Sequence, residues 1–184
     1  TTGTSITAGI NEINYLGKGI NVKTNVTISE DQIKGIFSVT NPNFRNTDKS
    51  LNTTIESSSS DFMTASGYKT SRTGFGIGTG FEQYSDFFVN IDLSTYYEKL
   101  ETSTKASDTK KKQEGDYLEN LLKYAFTINK LDQNWQPTDG YKTTFQQVLP
   151  IYSDDLSIEN TFNAAKYYSV TDNLILSGKV FLKA

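Results

Sequence analysis

One pattern limits this chain more than any other: long runs in which apolar and polar residues alternate one by one. In Ile20–Ser29, residues Ile20, Val22, Thr24, Val26 and Ile28 share one face, and Asn21, Lys23, Asn25, Thr27 and Ser29 share the other. From Phe87, residues Phe87, Val89, Ile91, Leu93, Thr95 and Tyr97 lie opposite Phe88, Asn90, Asp92, Ser94 and Tyr96. Leu122, Tyr124, Phe126 and Ile128 alternate with Lys123, Ala125, Thr127 and Asn129. A period of two is the signature of a strand with one apolar face. Turn chemistry at Gly17–Gly19, Asn41–Asn43, Ser85–Asp86, Pro137–Gly140 and Thr171–Asn173 separates the runs. The pattern predicts ten strands, near 3–12, 19–29, 32–40, 50–60, 68–82, 86–100, 115–131, 141–151, 157–168 and 173–183. Most exceed the common globular strand of about five to six residues. They match the roughly 9–11 residues that cross a bilayer at a tilt.

The connections differ at the two ends of the strands. Gly17–Gly19, the stretch from Asn41, Tyr84-Ser85 and Thr171–Asn173 form one rim. The stretches 57–67, 101–115 and 152–157 form the other, and carry the serine run 57–60 and the lysine-rich segment 105–112. Short turns on one rim and longer polar loops on the other are the layout of an outer-membrane barrel. The predicted fold is all-β: an antiparallel, up-and-down transmembrane β-barrel, here a partial one forming an open, curved sheet. Val26, Val89, Ile91, Phe126 and Ile128 are expected on its lipid face. Lys23, Lys34, Glu56, Asp92, Lys123 and Lys179 are expected on the lumen side. Aromatics fit interfacial girdles: Phe81, Tyr84 and Phe87 around one turn, Tyr96 and Tyr97 at the far end, and Trp135 in a turn. A soluble β-sandwich with an ordinary supply of Phe and Tyr is the rival reading.

Composition removes other classes. The 184 residues hold neither Cys nor His, so disulfides, thiolate nucleophiles, imidazole triads and zinc–cysteine sites are excluded within them. Formal charge is −3, and only two basic residues are arginine, which argues against nucleic acid. Thr and Ser together number 42 against 35% apolar residues, a balance that a barrel with alternate lipid-facing positions accommodates. Gly74, Gly76, Gly78 and Gly80 occupy alternate positions, unlike a dinucleotide fingerprint, which needs a following helix. They read as an inward face where the wall bends or something packs close. Lys110–Lys112 read as a solvated loop tip, or more sharply as a contact for anionic lipid. Glu30-Asp31 and Asp154-Asp155 are adjacent turn carboxylates that point apart, not a catalytic pair. The Asn25-Val-Thr27 and Asn52-Thr-Thr54 sequons lie inside strands. No catalytic residue, cofactor site or metal site is predicted, and the chain is not expected to be an enzyme.

Three turn motifs carry a resemblance. Residues 127–141 contain Asn129, Leu131, Asp132, Pro137, Thr138 and Gly140 in the pattern N-x-L-D-x4-P-T-x-G. Residues 37–44 contain Asn41, Pro42 and Phe44 in S-x-T-N-P-x-F. A weaker match, N-x-L-G-x-G, spans Asn14–Gly19. In this order and spacing they resemble the BamA family of outer-membrane protein assembly factors. The resemblance implies that residues 1–184 correspond to barrel strands two to eleven of sixteen. POTRA domains would precede them and the rest of the barrel would follow. It implies short turns facing the periplasm, long loops outside the cell, and a place in the outer membrane of a Gram-negative bacterium. The implied partners are outer-membrane lipid, unfolded outer-membrane proteins as clients and assembly-complex lipoproteins, with no nucleic acid. The implied function is insertion of β-barrel proteins, and the motif residues would fix turns and strand register. Alternatives are a porin-like channel or a protein translocation or secretion barrel.

Overall fold

A computed structural model describes residues 4–154, 156–171 and 173–184. The predicted strand start at Gly3, the partner carboxylate Asp155 and the turn residue Asp172 lie outside the described residues. Ten strands form one antiparallel sheet in sequence order. They are β1 (Ser5–Tyr15), β2 (Ile20–Ser29), β3 (Gln32–Asn41), β4 (Ser50–Phe62), β5 (Tyr68–Tyr84), β6 (Phe87–Thr102), β7 (Gly115–Leu131), β8 (Gly140–Tyr152), β9 (Glu159–Thr171) and β10 (Leu174–Lys183). The periodicity placed every strand, with ends off by a few residues. The serine run 57–60 is the exception to the loop reading, because it continues β4 and pairs with 70–73 of β5. Two short helices interrupt the long loops: α1 (Met63–Ser66) and α2 (Asp108–Lys112). Ser107 caps α2, its hydroxyl accepting from the Lys110 amide at 3.3 Å. Among the described residues no helix is long and apolar enough to cross a membrane.

Pairing aligns like with like. Phe87, Val89, Ile91 and Leu93 lie opposite Ile128, Phe126, Tyr124 and Leu122. The alternation therefore builds one apolar and one polar surface, since a strand's successive side chains point to opposite faces. Pro150 sits at a register shift between β7 and β8, where a residue without an N–H costs the ladder least.

The rows of paired residues do not run level. One row passes through Asn25, Ile36, Glu56, Gly74 and Tyr96. It lies five residues above Ile20 at the foot of β2, and nine above Phe87 at the foot of β6. It climbs four residues in four strand steps. One residue, about 3.3 Å, per step of about 4.8 Å is a strand tilt of about 35°, in the range of membrane barrels.

The sheet has almost no core. Among the described residues only Val89, Leu100, Ala106 and Ala125 are buried hydrophobics, and none is fully enclosed. Val26, Ile91, Phe126 and Ile128 are exposed as expected. Val89 is not: it is only 8% exposed, because the larger Phe81 and Phe126 flank it as cross-strand neighbours. Tyr96 also departs from expectation. It lies on the polar face, over Gly74, where a Cβ would meet the ring at 2.5 Å, so it belongs to no girdle. Tyr97 does face outward, as does Tyr84, which pairs with Phe87; Trp135 lies in the turn after β7 and is 81% exposed. A continuous apolar band on one side of a single sheet is abnormal in water and normal against lipid.

The polar side is concave. One cavity of about 990 Å³ is lined by Ser50 at the foot of β4 and by Tyr167 of β9. Five strand steps of about 4.8 Å would hold these far apart on a flat sheet.

Candidate functional site

The cavity at the short-turn rim gathers two of the sequence motifs. Pro42 comes from the first, and Asn129, Leu131 and Pro137 from the second. Each turn is built by local hydrogen bonding. Asn41 begins one, its side-chain oxygen accepting from the Asn43 amide at 3.1 Å. The Phe44 amide donates to Lys49 O at 2.8 Å and closes it. Arg45 and Asn46 adopt positive φ there, and the Arg45 guanidinium lies over the Phe44 ring at 5.4 Å.

Asp132 organises the second turn. Its carboxylate accepts from the Thr138 amide at 3.1 Å and from the Thr138 hydroxyl, while its own amide donates to Asp139 O at 3.2 Å. The Thr138 hydroxyl, then the amides of Asp139, Thr138 and Gln133, hold the carboxyl below the usual carboxylate range. Asn129 Nδ2 donates to Asn134 Oδ1 at 2.9 Å across the same loop. Gly140 closes the turn at φ 98°, where a Cβ would sit 2.0 Å from Lys130 O. A carboxyl with a depressed folded pKa stabilises above its unfolded value and loses that contribution as pH falls through the folded one. Protease nicking within 133–136 is therefore expected to rise as pH drops below about 4. In Asp132→Ala it should be high and independent of pH.

The weaker third motif is ordered too. Asn14 Oδ1 accepts from the Gly19 amide at 2.7 Å, and Asn14 O accepts from the Gly17 amide at 2.9 Å.

Sequence reasoning missed a charged cluster higher in the lumen. Arg72 of β5 donates to Glu98 of β6 at 3.1 Å and to Glu119 of β7 at 3.4 Å. Its guanidinium lies 4.1 Å from the Tyr96 ring centroid. Ser153, beyond β8, donates to Glu119 at 3.3 Å. Arg72 and Glu119 are 47 residues apart in the chain, so only the strand register brings them together. Lys123 and Asp92, both placed in the lumen from the sequence, pair at 3.5 Å. Lys110 and Lys111 are more than a solvated tip. Lys110 Nζ lies 5.0 Å from the Tyr68 ring centroid and Lys111 donates to Thr104 O at 3.0 Å.

These are turns, ion pairs and a wall, and they hold strands and loops in place. A family model, the Omp85 superfamily domain, matches residues 14–183. The chain belongs to the Omp85 superfamily. Its fold is similar to the crystal structure of BamA from Haemophilus ducreyi lacking POTRA domains 1–3, with a TM-score of 0.70 at 20% identity. The match covers 99% of this chain and 39% of that one. The Omp85 assignment makes the ten-stranded sheet an outer-membrane barrel wall, with lipid against Ile91 and Phe126 and a polar lumen around Asp92 and Arg72.

Proposed function

We propose that this Omp85 wall serves the assembly and insertion of β-barrel proteins into the outer membrane of a Gram-negative bacterium. The observation that carries the reading is the intact Asn129–Gly140 motif, built as a clamped turn at the lumen mouth, in a fold like that of BamA. Residues 1–184 are strands two to eleven of the barrel, with POTRA domains before them and the remaining strands after. The turns at 16–19, 42–49, 85–86 and 132–139 face the periplasm, and the loops at 63–67 and 103–114 face outward. Unfolded outer-membrane proteins are the clients, and lipoproteins complete the assembly complex. The mechanism is templating rather than catalysis: a strand edge of the closed barrel offers unpaired backbone groups to an incoming strand. The wall described here keeps that edge in place. A translocation barrel would use the same fold for one secreted substrate.

Depletion of the protein in its native host separates the two. Folded outer-membrane barrels, read by heat-modifiable mobility, should fall several-fold as a class. Loss of a single secreted protein, with other barrels at normal levels, would assign the chain to translocation instead.

A further inference from the structure

We infer, resting on the function and orientation proposed above, that the cavity at the short-turn rim binds an extended segment of an unfolded outer-membrane protein. The acidic end of that segment lies on β8–β10 and its basic end at the feet of β4 and β5. Charges without partners mark the site. Elsewhere polar groups are matched. On the outward face Ser57 and Thr73 share a hydrogen bond of 3.2 Å, and Thr95 donates to Asn120 at 2.7 Å. Higher in the lumen Arg72 and Lys123 each hold a carboxylate. At the mouth Asp48, Glu82, Lys142 and Lys179 are all exposed, and among the described residues none of them is in an ion pair.

These four charges are sorted by sign. Asp48, just before β4, and Glu82 of β5 line one side of the 990 Å³ cavity. Lys142 of β8 lines the other. Lys179 of β10 stands beside it: both lysines line an adjoining cavity of about 320 Å³, which shares Ala165 with the first. Lys179 Nζ lies 6.0 Å from the Tyr167 ring centroid, and Tyr167 also lines the first cavity. The four charges sum to zero, so the mouth does not select an anion or a cation as such. It selects a ligand with opposite charges at its two ends. From β4 to β9 is five strand steps, about 24 Å at most along the arc, which an extended chain crosses in about seven residues.

Between the two poles the floor suits an unfolded chain. Phe88 breaks the polar run of its strand: it holds an inward position between Glu82 and Thr127, on the face that Asn90, Asp92 and Ser94 continue. With Pro42, Leu131 and Pro137 it gives the lumen mouth an apolar patch. Beside it the Asn90 carboxamide lies over Gly80, where a Cβ would sit 2.4 Å from its oxygen. A carboxamide carries both donor and acceptor, as a peptide group does, and so can bond an extended backbone of any sequence. An apolar patch with a few convergent polar groups is the usual make-up of a binding cavity. Here it matches a strand that alternates apolar and polar residues and has not yet paired.

The test uses the full-length protein in lipid nanodiscs and two dye-labelled peptides that share an alternating valine and threonine centre. The dipolar peptide carries lysines at one end and aspartates at the other; the basic peptide carries lysines at both. Fluorescence anisotropy reads binding, and heat-modifiable mobility confirms that each variant is folded. The wild type should bind the dipolar peptide about fivefold more tightly than the basic one. A denatured outer-membrane protein should displace it, and the same protein folded in detergent should not. K142E/K179E makes the mouth acidic on both sides and should invert the preference. K18E/K130E places the same change of charge in a turn and on the outward face of the same rim, and should match the wild type. A wild type without preference, an unchanged preference in K142E/K179E, or the same inversion in K18E/K130E would overturn the inference. So would displacement by the folded protein, or by neither form, since the occupant is then not an unfolded chain. Client insertion is read separately, by the depletion experiment, so the two proposals fail by different results.

Discussion

Ile91→Lys is expected to cost roughly 2–4 kcal/mol of folding stability, while Asn90→Lys, one residue away, costs little. Ile91 lies on the outward face, 40% exposed, between Thr79 and Tyr124. It is six residues below Tyr97 and four above Phe87, and so near the middle of the apolar band. An ammonium there has neither water nor a partner within the hydrocarbon. Asn90 points into the lumen cavity, beside Thr127 and Lys142, where a charged head finds solvent. The measurement is equilibrium unfolding of the full-length barrel refolded into lipid vesicles. Equal penalties at the two sites would mean that inside and outside have been exchanged.

Gly140→Ala is the second large effect. Two costs coincide at this residue. Its φ of 98° disfavours any side chain, and its Cβ would lie 2.0 Å from a backbone oxygen that cannot swing aside. Gly17→Ala isolates the first cost, because Gly17 has φ 70° but nothing within 4 Å of its Cβ position. Gly17→Ala should cost about 1–2 kcal/mol. Gly140→Ala should cost at least twice that, and should also slow assembly by disturbing the β7–β8 register. Indistinguishable unfolding midpoints for the two variants would show that the turn relaxes freely.

The sequence was most legible where one physical rule acted alone. Alternation gave each strand and its lipid face, because a side-chain period of two survives any register. Asn129, Asp132, Thr138 and Gly140 were legible as a turn through resemblance, and the structure supplies their bonds. What stayed hidden needed the neighbouring strand. Val89 shares its pattern with Ile91, yet it is shielded by Phe81 and Phe126. Tyr96 falls on the polar face by alternation yet reads as an interfacial ring from its place near the strand end, and only its pairing with Gly74 shows what the ring packs on. Arg72 gave no sign of Glu98 or Glu119, which lie one and two strands away.

The hydrogen-bonded pairs on the outward face have a consequence for how the sheet finds its alignment. Alternation forbids a slip of one residue, since it would turn every apolar side chain into the lumen. It is blind to a slip of two, which leaves both faces intact. Ser57–Thr73, Thr95–Asn120 and the chain from Tyr124 through Gln147 to Asn160 are not blind to it. A two-residue slip parts these pairs, and between β7 and β8 it sets Gln147 opposite Leu122 or Phe126, which offer it no partner. Sparse polar positions on an otherwise greasy surface thus act as a vernier: the alternation sets the coarse scale, and these few contacts select the mark on it at which they close.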